Sequence, residues 1–93
     1  MASTLVYARS RDVIAAEIQG EVLLFDTVTW AYLEFDPVGT AIWALLDVPR
    51  SLPSLVEALQ KAFVVDALQC GADTQSFLDD MIAQGVITVT DAP

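Results

Sequence analysis

The segment WAYLEFDPVGTAIWALLDVPRS, Trp30 to Ser51, constrains the fold more than any other part of the chain. Large apolar residues alternate up to Phe35, then recur at helical spacing from Val38, and Asp36-Pro37 stands at the change. Proline has no amide hydrogen, so it fits the first position of a helix, where that hydrogen finds no intrahelical partner. Aspartate is a favoured N-cap immediately before it. A strand therefore runs straight into a helix here, and the two must share one core. Val38, Ile42, Leu45 and Leu46, with Trp43 beside them, give the helix an apolar stripe that reaches Asp47.

The flanking sequence supplies the partners. Val13 to Phe25 holds two apolar runs around Gln19-Gly20-Glu21, the pattern of a β-hairpin with Gly20 at the turn. Asp26 to Thr29 is a second turn, and WAYLEF is a third strand, rich in aromatics. Residues 1–12 read as a loose lead-in with at most a short extended piece at Leu5-Val6-Tyr7. After the first helix, VPRS breaks the pattern, and Ser51 or Ser54 caps a second helix with Leu55, Val56, Leu59 and Phe63 on one face. Val64 to Asp73 reads as a loop with room for one turn of helix. Asp73 or Thr74 starts the third helix, whose apolar face is Phe77, Leu78, Met81 and Ile82. Gly85 falls where a left-handed C-terminal cap belongs, and Val86 to Val89 adds a short extension. The order predicts an α+β domain: a three-stranded antiparallel sheet followed by three helices, like a winged helix-turn-helix with its wing first. At 93 residues the chain fits a single domain, 1–93, with its core over 13–89.

Charge and residue inventory then remove whole classes of function. Thirteen Asp and Glu against four Lys and Arg give a net charge of −9, a field that repels a phosphate backbone. The basic residues Arg9, Arg11, Arg50 and Lys61 are scattered, so neither a basic patch nor a basic recognition helix forms. A winged-helix transcription factor is disfavoured on that ground, and no nucleic-acid partner is expected. Without any histidine, neither a Ser/His/Asp nor a Cys/His nucleophile can be built, and no catalytic residue is assigned. Cys70 is alone, so it makes neither a disulfide framework nor a zinc cluster, and it reads as a small apolar residue. Asp79 and Asp80 diverge around a helix, and Glu34 with Asp36 reads as a solvated rim rather than an acid/base pair. Isolated glycines make no phosphate loop, and no EF-hand-like loop exists for a metal. No cofactor is expected. With no signal-like N-terminus or membrane-length apolar run, a soluble cytoplasmic protein with no membrane partner is the expectation.

Binding remains. In WAYLEF, Ala31, Leu33 and Phe35 share the face that continues into the first helix, whereas Trp30, Tyr32 and Glu34 share the other. That second face either packs under helices or is left for a partner. The outer strands of a three-stranded meander leave main-chain groups open, which an extended peptide can pair with, and a second copy of the chain could dimerise through the same edge. The Phe77/Met81 stripe is either core or shared with a groove wall, and Asp73 and Asp80 at its margin suit a basic side chain.

The residues LLFDTVTWAYLEFDPVGTAIWALLDVPRSLPSLVEALQKAF and ADTQSFLDDMIAQGVI together resemble the PqqD-like family, the precursor-peptide recognition elements of ribosomal peptide biosynthesis. Leu23-Leu24-Phe25-Asp26, Phe35-Asp36-Pro37-Val38-Gly39, Ile42-Trp43, Leu45-Leu46-Asp47 and Gly85-Val86-Ile87 carry the likeness, over roughly residues 13–89. Val48 departs from the glycine usual after Leu-Leu-Asp, and Phe35-Asp36 from the usual Leu-Asn. The resemblance implies a non-catalytic domain that binds the leader of a precursor peptide as an added strand beside the third strand. The backbone of Trp30, Ala31, Tyr32, Leu33 and Glu34 would then pair with the leader, in a groove walled by the third helix with Phe77 and Met81 as candidate wall residues. It further implies a free-standing leader-binding component of a lasso-peptide pathway, handing the precursor to a leader peptidase. Its nearest alternative is a peptide chaperone for a radical SAM enzyme.

Overall fold

Residues 4–19, 21–27, 30 and 32–92 are described by a computed structural model. Along them run β1 (Thr4–Arg9), β2 (Val13–Ile18), β3 (Glu21–Asp26), β4 (Tyr32–Glu34), α1 (Pro37–Leu45), β5 (Arg50–Ser51), α2 (Leu52–Ala62), α3 (Ala67–Ala83) and β6 (Ile87–Ala92). The expected antiparallel sheet is present, in the order β2-β3-β4, and three helices follow it. The Gly20 turn, together with Val28, Thr29 and Ala31, lies outside the described residues.

The junction forms as its residues require. Asp36 caps α1 by accepting the Gly39 N–H at 2.7 Å, with Pro37 as the first helical residue. Phe35, Ile42, Trp43 and Leu46 are buried around it, so strand end and helix share one core. Ser51, not Ser54, caps α2, accepting the Ser54 N–H. At the end of α3, Gly85 takes φ +80°, while its N–H reaches Ile82 O and that of Val86 reaches Met81 O. Those two bonds are a Schellman motif, the left-handed cap expected there.

Three expectations need correction. The lead-in is in fact a strand: β1 pairs with β6 over six residues and with β5 over two, forming a second three-stranded sheet, β5-β1-β6. Tyr7 of β1 is only 3% exposed, so the core reaches back before Val13. The C-terminal extension is correspondingly the six-residue β6, not a short tail. The third helix starts at Ala67, capped by Asp66, rather than at Asp73 or Thr74. Cys70, Thr74, Leu78 and Met81 are all buried along it, a helical period that begins seven residues earlier than expected. Gly71 does not break the helix; it faces Val56 of α2.

The third strand is also shorter than WAYLEF. Trp30 takes a left-handed φ of +61° and its N–H closes a turn onto Asp26 O at 2.9 Å, which leaves only Tyr32–Glu34 extended. Two arginines fasten the far end of α1. Arg9 donates to Trp43 O and lies 4.8 Å over the Trp43 ring, while Arg50 donates to Leu45 O. Both place positive charge on the negative end of the helix dipole. Among the described residues, no helix is long and apolar enough to cross a membrane.

Candidate peptide-binding edge and groove

Among the described residues β4 is an edge strand, with β3 as its one neighbour in the sheet. The direction of its open groups follows from one bond: the Phe35 N–H donates to Val22 O of β3 at 3.1 Å. Backbone groups alternate in direction along a strand, so Leu33 also turns inward, and the N–H and C=O of Tyr32 and Glu34 face the open edge. The pairing register places Tyr32 opposite Phe25 and Phe25 opposite Ile14, so these three side chains form one row on the outward face. Trp30 adds to it, its ring edge-on to Phe25 at 5.7 Å.

Trp30 is 71% and Tyr32 64% exposed, whereas Phe35 is buried and Leu33 half-buried. For residues in the strand, the core and outward faces thus separate as alternation requires. Trp30 is exposed for a different reason, since its left-handed turn takes it out of the alternation. Ile14 and Ile18 of β2 are exposed as well, a feature sequence reasoning missed. The pairing register puts both on the outward face with Phe25, away from the helices.

A depression of about 270 Å³ lies where β4 gives way to α1, lined by Asp36, Val38, Gly39, Ile42, Asp73 and Phe77. Phe35 packs edge-on to Phe77 at 5.2 Å, which ties the end of β4 to α3. Gly39 permits the approach: a Cβ there would lie 3.1 Å from the Phe77 ring and 3.2 Å from Phe35 Cβ. Asp73 and Phe77 stand one turn apart on α3, and Asp73 Oδ1 accepts a bond of 2.8 Å from Gln69 Nε2. Asp80 is exposed further along the helix.

The structure thus gathers Tyr32, Leu33 and Glu34 on one strand, and Asp73 and Phe77 on the facing helix. Met81 is different: at 7% exposure it belongs to the core cluster, one turn below Phe77 but turned inward. Ala31 lies outside the described residues. Val38, Gly39 and Ile42 were unforeseen as lining, because the sequence gives no sign that the start of α1 meets α3. Cys70 is buried, its sulfur 3.9 Å from Thr74 Oγ1. Among the described residues, no cluster of three His, Cys, Asp or Glu forms a metal site.

An α+β domain with a strand edge beside a helix-walled groove has the geometry with which an extended chain can pair, and comparison gives the class a family. The family model of coenzyme PQQ synthesis protein D (PqqD) matches residues 21–87, so the chain belongs to the PqqD family. Among solved structures, TbiB1 in complex with the TbiA(beta) leader peptide is 29% identical, with a TM-score of 0.81 over 86% of this chain and 93% of that one. A lasso peptide synthetase B1 complexed with the leader peptide shares the fold, with a TM-score of 0.77 at 16% identity, over 88% of this chain and 96% of that one. No curated protein matches the chain.

Proposed function

We propose that this protein binds the leader segment of a ribosomally made precursor peptide as a strand added to the open edge of β4. It performs no chemistry of its own and presents the precursor to a processing enzyme, a leader peptidase of lasso-peptide synthesis, in the cytoplasm. The observation that carries the reading is the outward-facing backbone of Tyr32 and Glu34, set beside an apolar depression and flanked by exposed aromatics. Main-chain bonds supply affinity in such pairing, and pockets for alternate side chains supply selectivity. The likeness to TbiB1, a leader-peptide complex, supports the nature of the ligand. Trp30, Tyr32, Leu33, Glu34, Asp73, Phe77 and Asp80 are the contact residues proposed. Ala31 is kept as a backbone partner, and Met81 is proposed to support the wall from within.

A DNA-binding reading gains nothing from the fold. Arg9 and Arg50 are committed to carbonyls of α1, and Lys61 pairs with Glu57 at 3.5 Å. A second reading within the family, a peptide chaperone for a radical SAM enzyme, is favoured by the family model itself and shares the same edge. Co-purification with a peptidase or with a radical SAM enzyme separates the two.

The decisive experiment compares two prolines. Glu34→Pro removes an N–H from the open edge, where proline is tolerated, so the fold persists while affinity for the TbiA(beta) leader peptide falls at least tenfold. Leu33→Pro instead deletes an inward donor and destabilises the sheet by about 3 kcal/mol. Undiminished binding by a folded Glu34→Pro protein would remove the β4 edge from consideration.

A further inference from the structure

We infer that the depression between the start of α1 and α3 takes a lysine or arginine side chain of the bound strand, so that the protein selects a leader carrying a cation at one fixed position. The inference rests on strand addition at β4 and deepens it by naming what the groove reads. β4 leads through Phe35 straight into Asp36, so a peptide paired along Tyr32–Glu34 and continuing in the same line arrives at the depression. Asp36 lies two residues past Glu34, about 7 Å along an extended chain. The side chain that enters it projects on the inward face of the added strand, the face shared by Leu33 and Phe35.

The lining fits a long stem with a charged tip. Val38, Ile42 and Phe77 give apolar contact for methylene groups, and Gly39 leaves the floor without a side chain. Asp36 and Asp73 stand on opposite banks, one on the strand side and one on the helix. Each has one oxygen engaged, by the Gly39 N–H and by Gln69 Nε2, and the acceptor capacity of a carboxylate extends beyond a single bond. Lysine and arginine characteristically lay their stems on apolar surface and keep the charge at a polar rim.

No basic side chain of the protein serves this place. Arg9 and Arg50 are at the opposite end of α1, Lys61 is on α2 beside Glu57, and Arg11 is in the turn before β2. The partial positive charge at the start of α1 is met by the Asp36 cap. Asp73 and the overall charge of −9 then leave a negative potential that attracts a cation and rejects a carboxylate. At about 270 Å³ the space is just below the range of small-molecule pockets, about 300–1,000 Å³, and suits one side chain.

The test uses analogues of the TbiA(beta) leader peptide in which successive positions carry lysine or its neutral isostere norleucine. Titration calorimetry gives the affinities, and amide shifts of Tyr32 and Glu34 report strand pairing. At one position lysine should bind about fivefold more tightly than norleucine, the scale of partly exposed ion pairs to two carboxylates, and the preference should weaken with salt. In the Asp36→Asn/Asp73→Asn protein that preference should vanish with the strand shifts retained, because asparagine still caps α1. If no position prefers lysine while the Tyr32 and Glu34 amides still shift, the cation pocket is refuted and strand addition stands. A lysine preference that survives the double substitution also refutes it. Binding that leaves those amides unmoved overturns strand addition itself, and the pocket assignment with it.

Discussion

The two three-stranded sheets have the same number of strands and opposite roles. In β5-β1-β6 the first and last strands are joined: Tyr7 and Ile87 are buried, and the exposed residues of β6 include Thr88, Val89, Thr90 and Asp91. In β2-β3-β4 the inner face contributes Val22 and Leu24 to the core, while the outward face presents Ile14, Phe25 and Tyr32 beside the polar Glu21 and Glu34. Antiparallel sheets with one wet face ordinarily place polar side chains there. Both sheets have open edges, and that of β6 is longer than that of β4. An unpaired edge is therefore not what marks the site. What distinguishes β4 is the aromatic row on one side and the groove toward α3 on the other, whereas along β6 the polar Thr88, Thr90 and Asp91 surround a single exposed valine, Val89.

The sharpest way to break this contrast is to truncate one tyrosine in each sheet. Tyr7 is 3% exposed and its hydroxyl accepts from Gln75 Nε2 at 3.4 Å, so Tyr7→Ala should lower stability by about 3–4 kcal/mol in urea unfolding. Tyr32, 64% exposed, should cost within about 0.5 kcal/mol when changed to alanine. The same Tyr32→Ala change should weaken the TbiA(beta) leader peptide several-fold, while any binding loss in Tyr7→Ala should track its unfolding. Comparable destabilisation by both would mean that the two sheets are equally structural.

How far the sequence disclosed this contrast depends on the range of the interactions involved. The Asp36-Pro37 junction, the Ser51 cap and the Gly85 motif are local, and each was legible from a few neighbouring residues. The separation of Leu33 and Phe35 from Tyr32 followed from the two-residue period of a strand. β1 was not legible, because Thr4–Arg9 becomes a strand through a partner 78 to 88 residues away. In the sequence Trp30 belongs to a strand pattern, because nothing in its neighbours announces a left-handed residue. Met81 shows the limit for the groove. A helical stripe tells which residues share a face, but not where around that face core ends and wall begins. The depression itself depends on α1 meeting α3 across Gly39, a contact between segments with no shared pattern.

A middle-sized effect should come from Arg9, the cation that joins β1 to the helical layer. Its guanidinium donates to Trp43 O at 2.6 and 3.1 Å and covers the Trp43 ring. Arg9→Ala should cost about 2 kcal/mol through loss of charge-assisted bonds and ring contact. Arg9→Lys should recover only part of this, since an ammonium cannot reproduce the fork or stack as a plane. Leader affinity should be unchanged in the folded fraction, because Arg9 works at the opposite end of α1 from the groove. A large direct effect on binding would connect the two sheets more closely than their packing implies.

The smallest expected effect concerns Val48, in the turn that carries the chain from α1 to β5. The family resemblance leads one to expect glycine there, and a left-handed backbone would make valine costly. Val48 is exposed, however, and is not among the residues with positive φ. The turn instead closes through the Leu46 and Asp47 amides, which reach back to carbonyls of α1, and through the Arg50 bond to Leu45 O. Val48→Gly should therefore bring no relief of strain. It should cost about 0.5 kcal/mol, because glycine gives the unfolded chain more conformations to lose. In a domain of this size that lowers the melting temperature by about 2–4 °C, measurable by thermal denaturation. A rise instead would mean that Val48 holds the turn under strain, and that the approach to β5 is less settled than the pairing of β1 with β6.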